Sequence, residues 1–166
     1  VYERPDNKEY FSGGEGSEDG NWLIITVGKG TERMNMVYFK NLKDPKAPIV
    51  PLVENLDNSW NFLGNDGPVF YFQTDKDASR GKVVKVNVLA RNRIWKNVIP
   101  ESTDTLNGVQ FVNNQFVLNY LSDAHTKIKI YQTNGKFVRD VSLPGIGTAG
   151  GFGGKRTDTE TFYTYS

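Results

Sequence analysis

The feature that most constrains this chain is a turn followed by a short apolar strand, repeated at a fixed interval. The turns at Gly20, Gly67 and Asn114 lie 47 residues apart each time. Behind them run Trp22-Leu23-Ile24-Ile25-Thr26-Val27, Val69-Phe70-Tyr71-Phe72-Gln73 and Phe116-Val117-Leu118-Asn119-Tyr120-Leu121. A fourth copy leads from Asp158-Thr159-Glu160 into Thr161-Phe162-Tyr163-Thr164-Tyr165. Each run is too short for a helix and is rich in aromatic and β-branched residues, so it reads as a strand buried on both faces. A period of roughly 40–50 residues with several strands in each is the signature of propeller blades.

The rest of each period supplies the other strands. The expected blades span residues 11–53, 60–99 and 107–142, with an incomplete blade at 147–165. The fold class is therefore all-β, a partial β-propeller of four-stranded antiparallel blades, about three and a half of them over residues 1–166. Such an arc cannot close a ring, and its open ends would expose strand edges and apolar faces. The expectation is that the chain is a piece of a longer protein, with self-association through open blade edges as the alternative.

A chain of 166 residues can bury a substantial core. Its formal net charge is +1, and lysines and arginines interleave with acids along its length. No basic patch suggests nucleic acid or an anionic membrane as partner. No apolar run approaches a membrane span, and the first residues lack the pattern of a signal peptide. There is no cysteine and a single histidine, His125, so a four-ligand structural zinc site of the usual kind is not expected. No cofactor or metal is expected.

Several local patterns suggest chemistry and lack its context. A serine hydrolase needs Gly-x-Ser-x-Gly on a strand-to-helix elbow, but Ser17 has Glu15 at the first glycine position and Ser12 has Tyr10. No catalytic residue is assigned, and His125 is read as a loop histidine with a local hydrogen bond, a candidate partner being Asp123. Gly145-Ile146-Gly147-Thr148-Ala149-Gly150 matches a dinucleotide fingerprint without a helix to follow it. Asp75 to Gly81 resembles the start of a calcium loop, yet Arg80 and Val86 stand where glycine and glutamate are required. Glu15, Glu18 and Asp19 read as a solvated turn rather than a glycosidase pair. The aromatic residues of the second strands read as packing between blades. Gly28 to Met34, Thr74 to Gly81 and Ser122 to Thr126 are expected as loops at the end opposite the Asp-Gly turns, where binding residues concentrate.

The opening Val1-Tyr2-Glu3-Arg4-Pro5-Asp6-Asn7, with Gly13-Gly14 and Ser17-Glu18-Asp19-Gly20 behind it, resembles the prolyl oligopeptidase family. The likeness continues through Phe62-Leu63-Gly64-Asn65-Asp66-Gly67, Asp77-Ala78-Ser79-Arg80-Gly81, Tyr120-Leu121-Ser122-Asp123-Ala124-His125 and Gly151-Phe152-Gly153-Gly154-Lys155-Arg156. In that family a seven-bladed propeller caps an α/β-hydrolase domain with a Ser-Asp-His triad, which cuts short peptides after proline. The resemblance implies that this chain is the later half of such a propeller, gating peptide access to an active site elsewhere in the parent protein. It also implies that the segment is non-catalytic, with the hydrolase domain absent from it; the alternative reading is a free-standing β-propeller binding or scaffold module. The implied partners are that domain and short proline-containing peptides, in the cytoplasm or periplasm. The family can carry an arginine or cysteine toward substrate where this chain has Gly28 and Thr31. Candidate substrate-side or interdomain residues are Gly28, Lys29, Thr31, Arg80, Asp123 and His125.

Overall fold

The computed structural model describes residues 10–29, 34–112, 114–122, 125–141, 149–150 and 164–165. Within them the chain forms three four-stranded antiparallel sheets and one two-stranded pair. The first sheet contains β1 (Tyr10–Gly16), β2 (Trp22–Lys29), β3 (Asn35–Asn41) and β4 (Val50–Val53). The second contains β5 (Trp60–Asp66), β6 (Val69–Thr74), β7 (Lys82–Asn87) and β8 (Lys96–Ile99). The third contains β9 (Thr105–Val112), β10 (Gln115–Ser122), β11 (His125–Gln132) and β12 (Phe137–Val141). In each sheet spatial order follows chain order. These are the expected antiparallel blades of an all-β partial propeller. Of the incomplete fourth unit, only the pairing of β13 (Ala149–Gly150) with β14 (Thr164–Tyr165) is described; the remainder, including the glycine fingerprint at 145–148, lies outside the described residues.

The repeat is visible in backbone geometry as well as in sequence. Gly20, Gly67 and Asn114 all have positive φ, at 78°, 55° and 54°. Glycine and asparagine are the residues that enter the left-handed region most readily, which is why these types mark the turn between first and second strands. A register shift recurs between third and fourth strands, at Val37/Tyr38, Val83/Val84 and Ile130/Tyr131. Bulges of this kind increase the local twist.

Packing follows parity along β6. Along β6, Phe70 and Phe72 join Trp22, Phe39 and Trp60 in the core between the first and second blades. Tyr71, between them in sequence, joins Phe111, Phe116 and Leu118 in the core between the second and third. Phe70 and Phe72 are fully buried and Tyr71 nearly so, so β6 is covered on both faces as its unbroken apolar run predicts. The rings meet edge to face, with Trp22–Phe70 centroids 5.2 Å apart and Tyr71–Phe116 also at 5.2 Å, the geometry that ring quadrupoles favour. The aromatics therefore form inter-blade cores.

Two expected loops are shorter than the sequence suggests. Gly28 and Lys29 complete β2, with Gly28 buried and paired to Phe11 on one side and Asn35 on the other. Ser122 completes β10, and His125 opens β11 opposite it. The polar run Ser122-Asp123-Ala124-His125 looks like a loop. The alternation His125 exposed, Thr126 buried, Lys127 exposed, Ile128 buried nevertheless carries the strand outward from Ile130.

Candidate interdomain face

Antiparallel blades place all turns between second and third strands at one end of the arc. At this end lie Gly28 and Lys29 of the first blade, Arg80 of the second and His125 of the third. Thr31 and Asp123 lie outside the described residues. Gly28 is held in the ladder by both neighbours. His125 is exposed at the first position of its strand. No hydrogen bond or ion pair joins Gly28, Arg80 and His125 to one another among the described residues; they share an end of the arc and do not form one cluster.

Arg80 sits in the most highly organised part of this face. Its backbone N–H donates to Glu101 Oε2 at 2.7 Å, and its carbonyl accepts from the N–H of Leu106, on the next blade, at 2.7 Å. The N–H of Gly81 donates to the carbonyl of Ala78, which is buried. Gly81 itself has φ 92°, and a Cβ there would meet Leu106 Cβ at 3.1 Å, so both backbone freedom and close approach select glycine. The loop is pinned from both sides while the arginine side chain projects into solvent.

Beside Arg80, a polar cavity of about 340 Å³ opens between the second and third blades, lined by the start of β5, the end of β6, the 75–81 loop and the start of β9. Part of its wall is already engaged: Thr74 Oγ1 donates to the Ser59 carbonyl, Gln73 Nε2 to the Leu106 carbonyl, and Asp75 Oδ1 accepts from the Ser59 N–H. These bonds fix the cavity's shape across the blade junction.

The opposite end, at the Asp-Gly turns, contains a second cavity of about 220 Å³ reaching Glu15, Glu18, Gly64 and Phe111. Glu15 keeps contact with solvent, and the protein around it raises its carboxyl above the ordinary value. Asp19 is exposed in its turn, as expected, and it also has hydrogen-bond partners. It accepts from Ser17 Oγ and the Asn21 N–H, and from Asn65 Nδ2 of the second blade at 2.9 Å. Burial pushes its carboxyl up, but the hydrogen bonds from Ser17, Asn21 and Asn65 outweigh that and leave it below the ordinary value.

Two structural residues escape the sequence reading altogether. Asn35, buried at the start of β3, bonds both backbone groups of Trp60 across the first blade junction. Arg93 donates to the Val88 and Pro51 carbonyls and lies over the Phe39 ring, tying the outer edge of the second blade to the first. A signal was present for Asp19, since Asn65 follows it by 46 residues, one residue short of the repeat.

Comparison with known proteins agrees with the architecture. The family model described as prolyl oligopeptidase, N-terminal beta-propeller domain, matches residues 1–166. A prolyl endopeptidase from Elizabethkingia miricola is 33% identical over 160 residues, which cover 96% of this chain and 22% of that protein. The dual function macrocyclase-peptidase POPB from Amanita bisporigera is 24% identical, with 100% of this chain covered and 23% of that protein. Among solved structures, one from a study of inter-domain dynamics in two prolyl endopeptidases superposes with a TM-score of 0.93 at 30% identity, over 100% of this chain and 25% of the other. Apo prolyl oligopeptidase B from Galerina marginata shares the fold, at TM-score 0.93 and 24% identity, over 100% and 24%. The chain thus spans about a quarter of the length of the relatives it matches. It belongs to the prolyl oligopeptidase family, as a segment of the N-terminal β-propeller domain.

Proposed function

We propose that this segment is part of the lid of a proline-specific serine oligopeptidase and is itself non-catalytic. In this reading residues 1–166 are about three and a half blades of the propeller, and the hydrolase domain with its Ser-Asp-His triad is supplied by the parent protein. The end of the arc bearing Gly28, Lys29, Thr31, Arg80, Asp123 and His125 faces that domain and the peptide on its way in.

The single observation that carries the reading is the match of the whole chain to the family's propeller domain. The physical mechanism is steric: blades packed through continuous aromatic cores make a wall too stiff to admit a folded protein, while a short extended peptide passes through a channel or an interdomain gap. The test is to express the complete parent protein and follow cleavage of peptides of increasing length with one internal proline. Cleavage after proline that falls away steeply with length is the expected result. Cleavage that ignores proline, or that proceeds equally on folded proteins, would remove the lid reading.

A further inference from the structure

We propose that the cavity beside Arg80 is a binding site for a carboxylate carried by a peptide chain. Arg80 is a cation placed in advance of its partner. Its backbone is clamped by Glu101 on one side and Leu106 on the other, yet its guanidinium has no hydrogen bond or ion pair among the described residues. The described ion pairs lie elsewhere, at Lys127–Asp104 and Lys129–Asp140. The clamped backbone fixes where the side chain starts, and the exposed planar fork can make a two-pronged carboxylate contact.

The rest of the wall sets the charge of the guest. Asn61, Thr105 and Asn107, all neutral, are also among the residues that line the cavity. Asp75 lines it too, its Oδ1 accepting from the Ser59 N–H at 3.0 Å. The cation is Arg80, and the carboxylates of Asp75, in the wall, and Glu101, against the Arg80 backbone, oppose it, so a phosphate dianion is repelled and any attraction comes from the guanidinium itself. A planar monoanion paired two-pronged with the guanidinium is the guest this charge set tolerates, and the cavity of about 340 Å³ leaves room for the peptide segment that carries it.

The carboxylate has two sources under the proposed function: an acidic residue or chain end of the peptide substrate, or an acidic side chain of the hydrolase domain. The experiment uses the complete parent protein as wild type, Arg80→Gln and Arg80→Lys. Its probes are proline-containing peptides in which Glu or Gln is moved one position at a time. For a substrate carboxylate, Glu is preferred at one position by about tenfold in kcat/KM. Arg80→Gln abolishes that preference, bringing the ratio of kcat/KM for the Glu and Gln peptides to about one, and Arg80→Lys keeps part of it. For a carboxylate of the hydrolase domain, peptides show no such preference, and Arg80→Gln instead increases the domain separation measured by small-angle scattering. If neither preference nor separation changes, the carboxylate site is overturned. Loss of the lid reading is seen separately, as failure of the wild type to cleave after proline; calorimetric binding of the same Glu and Gln peptides then decides the site by itself.

Discussion

Asn35 serves as a strand partner for Trp60. Its Oδ1 accepts from the Trp60 N–H at 2.7 Å and its Nδ2 donates to the Trp60 carbonyl at 3.0 Å, an amide side chain reproducing the paired bonds of a β-ladder across two blades. Both residues are buried, so no water replaces these bonds when the amide is lost. Asn35→Ala leaves a donor and an acceptor unsatisfied and should destabilise the protein by about 2–4 kcal/mol. Asn35→Asp keeps the acceptor but sets a second oxygen against the Trp60 carbonyl and buries a charge, so it should cost at least as much as alanine. Denaturant midpoints of the complete protein measure this; a midpoint unchanged in Asn35→Ala would show that the junction does not depend on the pair.

The Asp19–Asn65 contact predicts an acid-dependent junction. Asp19 titrates below its ordinary 3.8 in the folded state. A depressed carboxyl adds stability that is fully present above the unfolded-state value and is lost as pH falls through the folded-state value. Because the group is largely exposed, the effect is small and salt-sensitive. Asp19→Asn removes the titration, so the stability gap between wild type and variant should narrow as pH is lowered from about 6 to about 2. A gap that stays constant across that range would exclude Asp19 as the titrating group.

Gly64 is a place where only hydrogen fits. A Cβ built there lies 2.5 Å from Phe111 Cδ2, on the third blade. Gly64→Ala should therefore cost about 1–3 kcal/mol through overpacking at the blade junction. Combining it with Phe111→Leu should recover part of the loss, and a double-mutant cycle on thermal midpoints reads the coupling. Strictly additive effects would place the strain elsewhere.

Phe70 anchors the first junction through Trp22, Phe39 and Phe62, at centroid distances of 5.2, 5.7 and 5.5 Å. Truncation to alanine should cost about 3–5 kcal/mol. A loss of that size in the thermal or denaturant midpoint is the expected result. Equal loss of stability from Leu89→Ala, at an exposed position of the second blade, would show that core position is not what matters.

The repeat made most of the fold legible before any coordinates. Turn residues that tolerate positive φ, followed by aromatic runs, fix blade number and strand order because both depend on local chemistry. The chain could not show which residues meet across blades. Asn35 looks like any polar residue opening a strand, and Asp19 like any acid in a turn; both acquire partners only when the blades are set side by side. At the candidate face, Arg80 was recognisable as a charged loop residue, but its clamped backbone depends on Glu101 and Leu106, 21 and 26 residues further along. His125 was misplaced because a polar run can continue a ladder as readily as it can end one.

The alternating faces of β6 give the arc independent joints. Phe70 and Phe72 belong to one seam and Tyr71 to the other, so neighbouring residues on a single strand answer to different blades. A substitution of even number slackens one seam and leaves the next closed. The wall is thus fastened by separate seams, and a shift of a single residue along β6 selects which of them a substitution loosens.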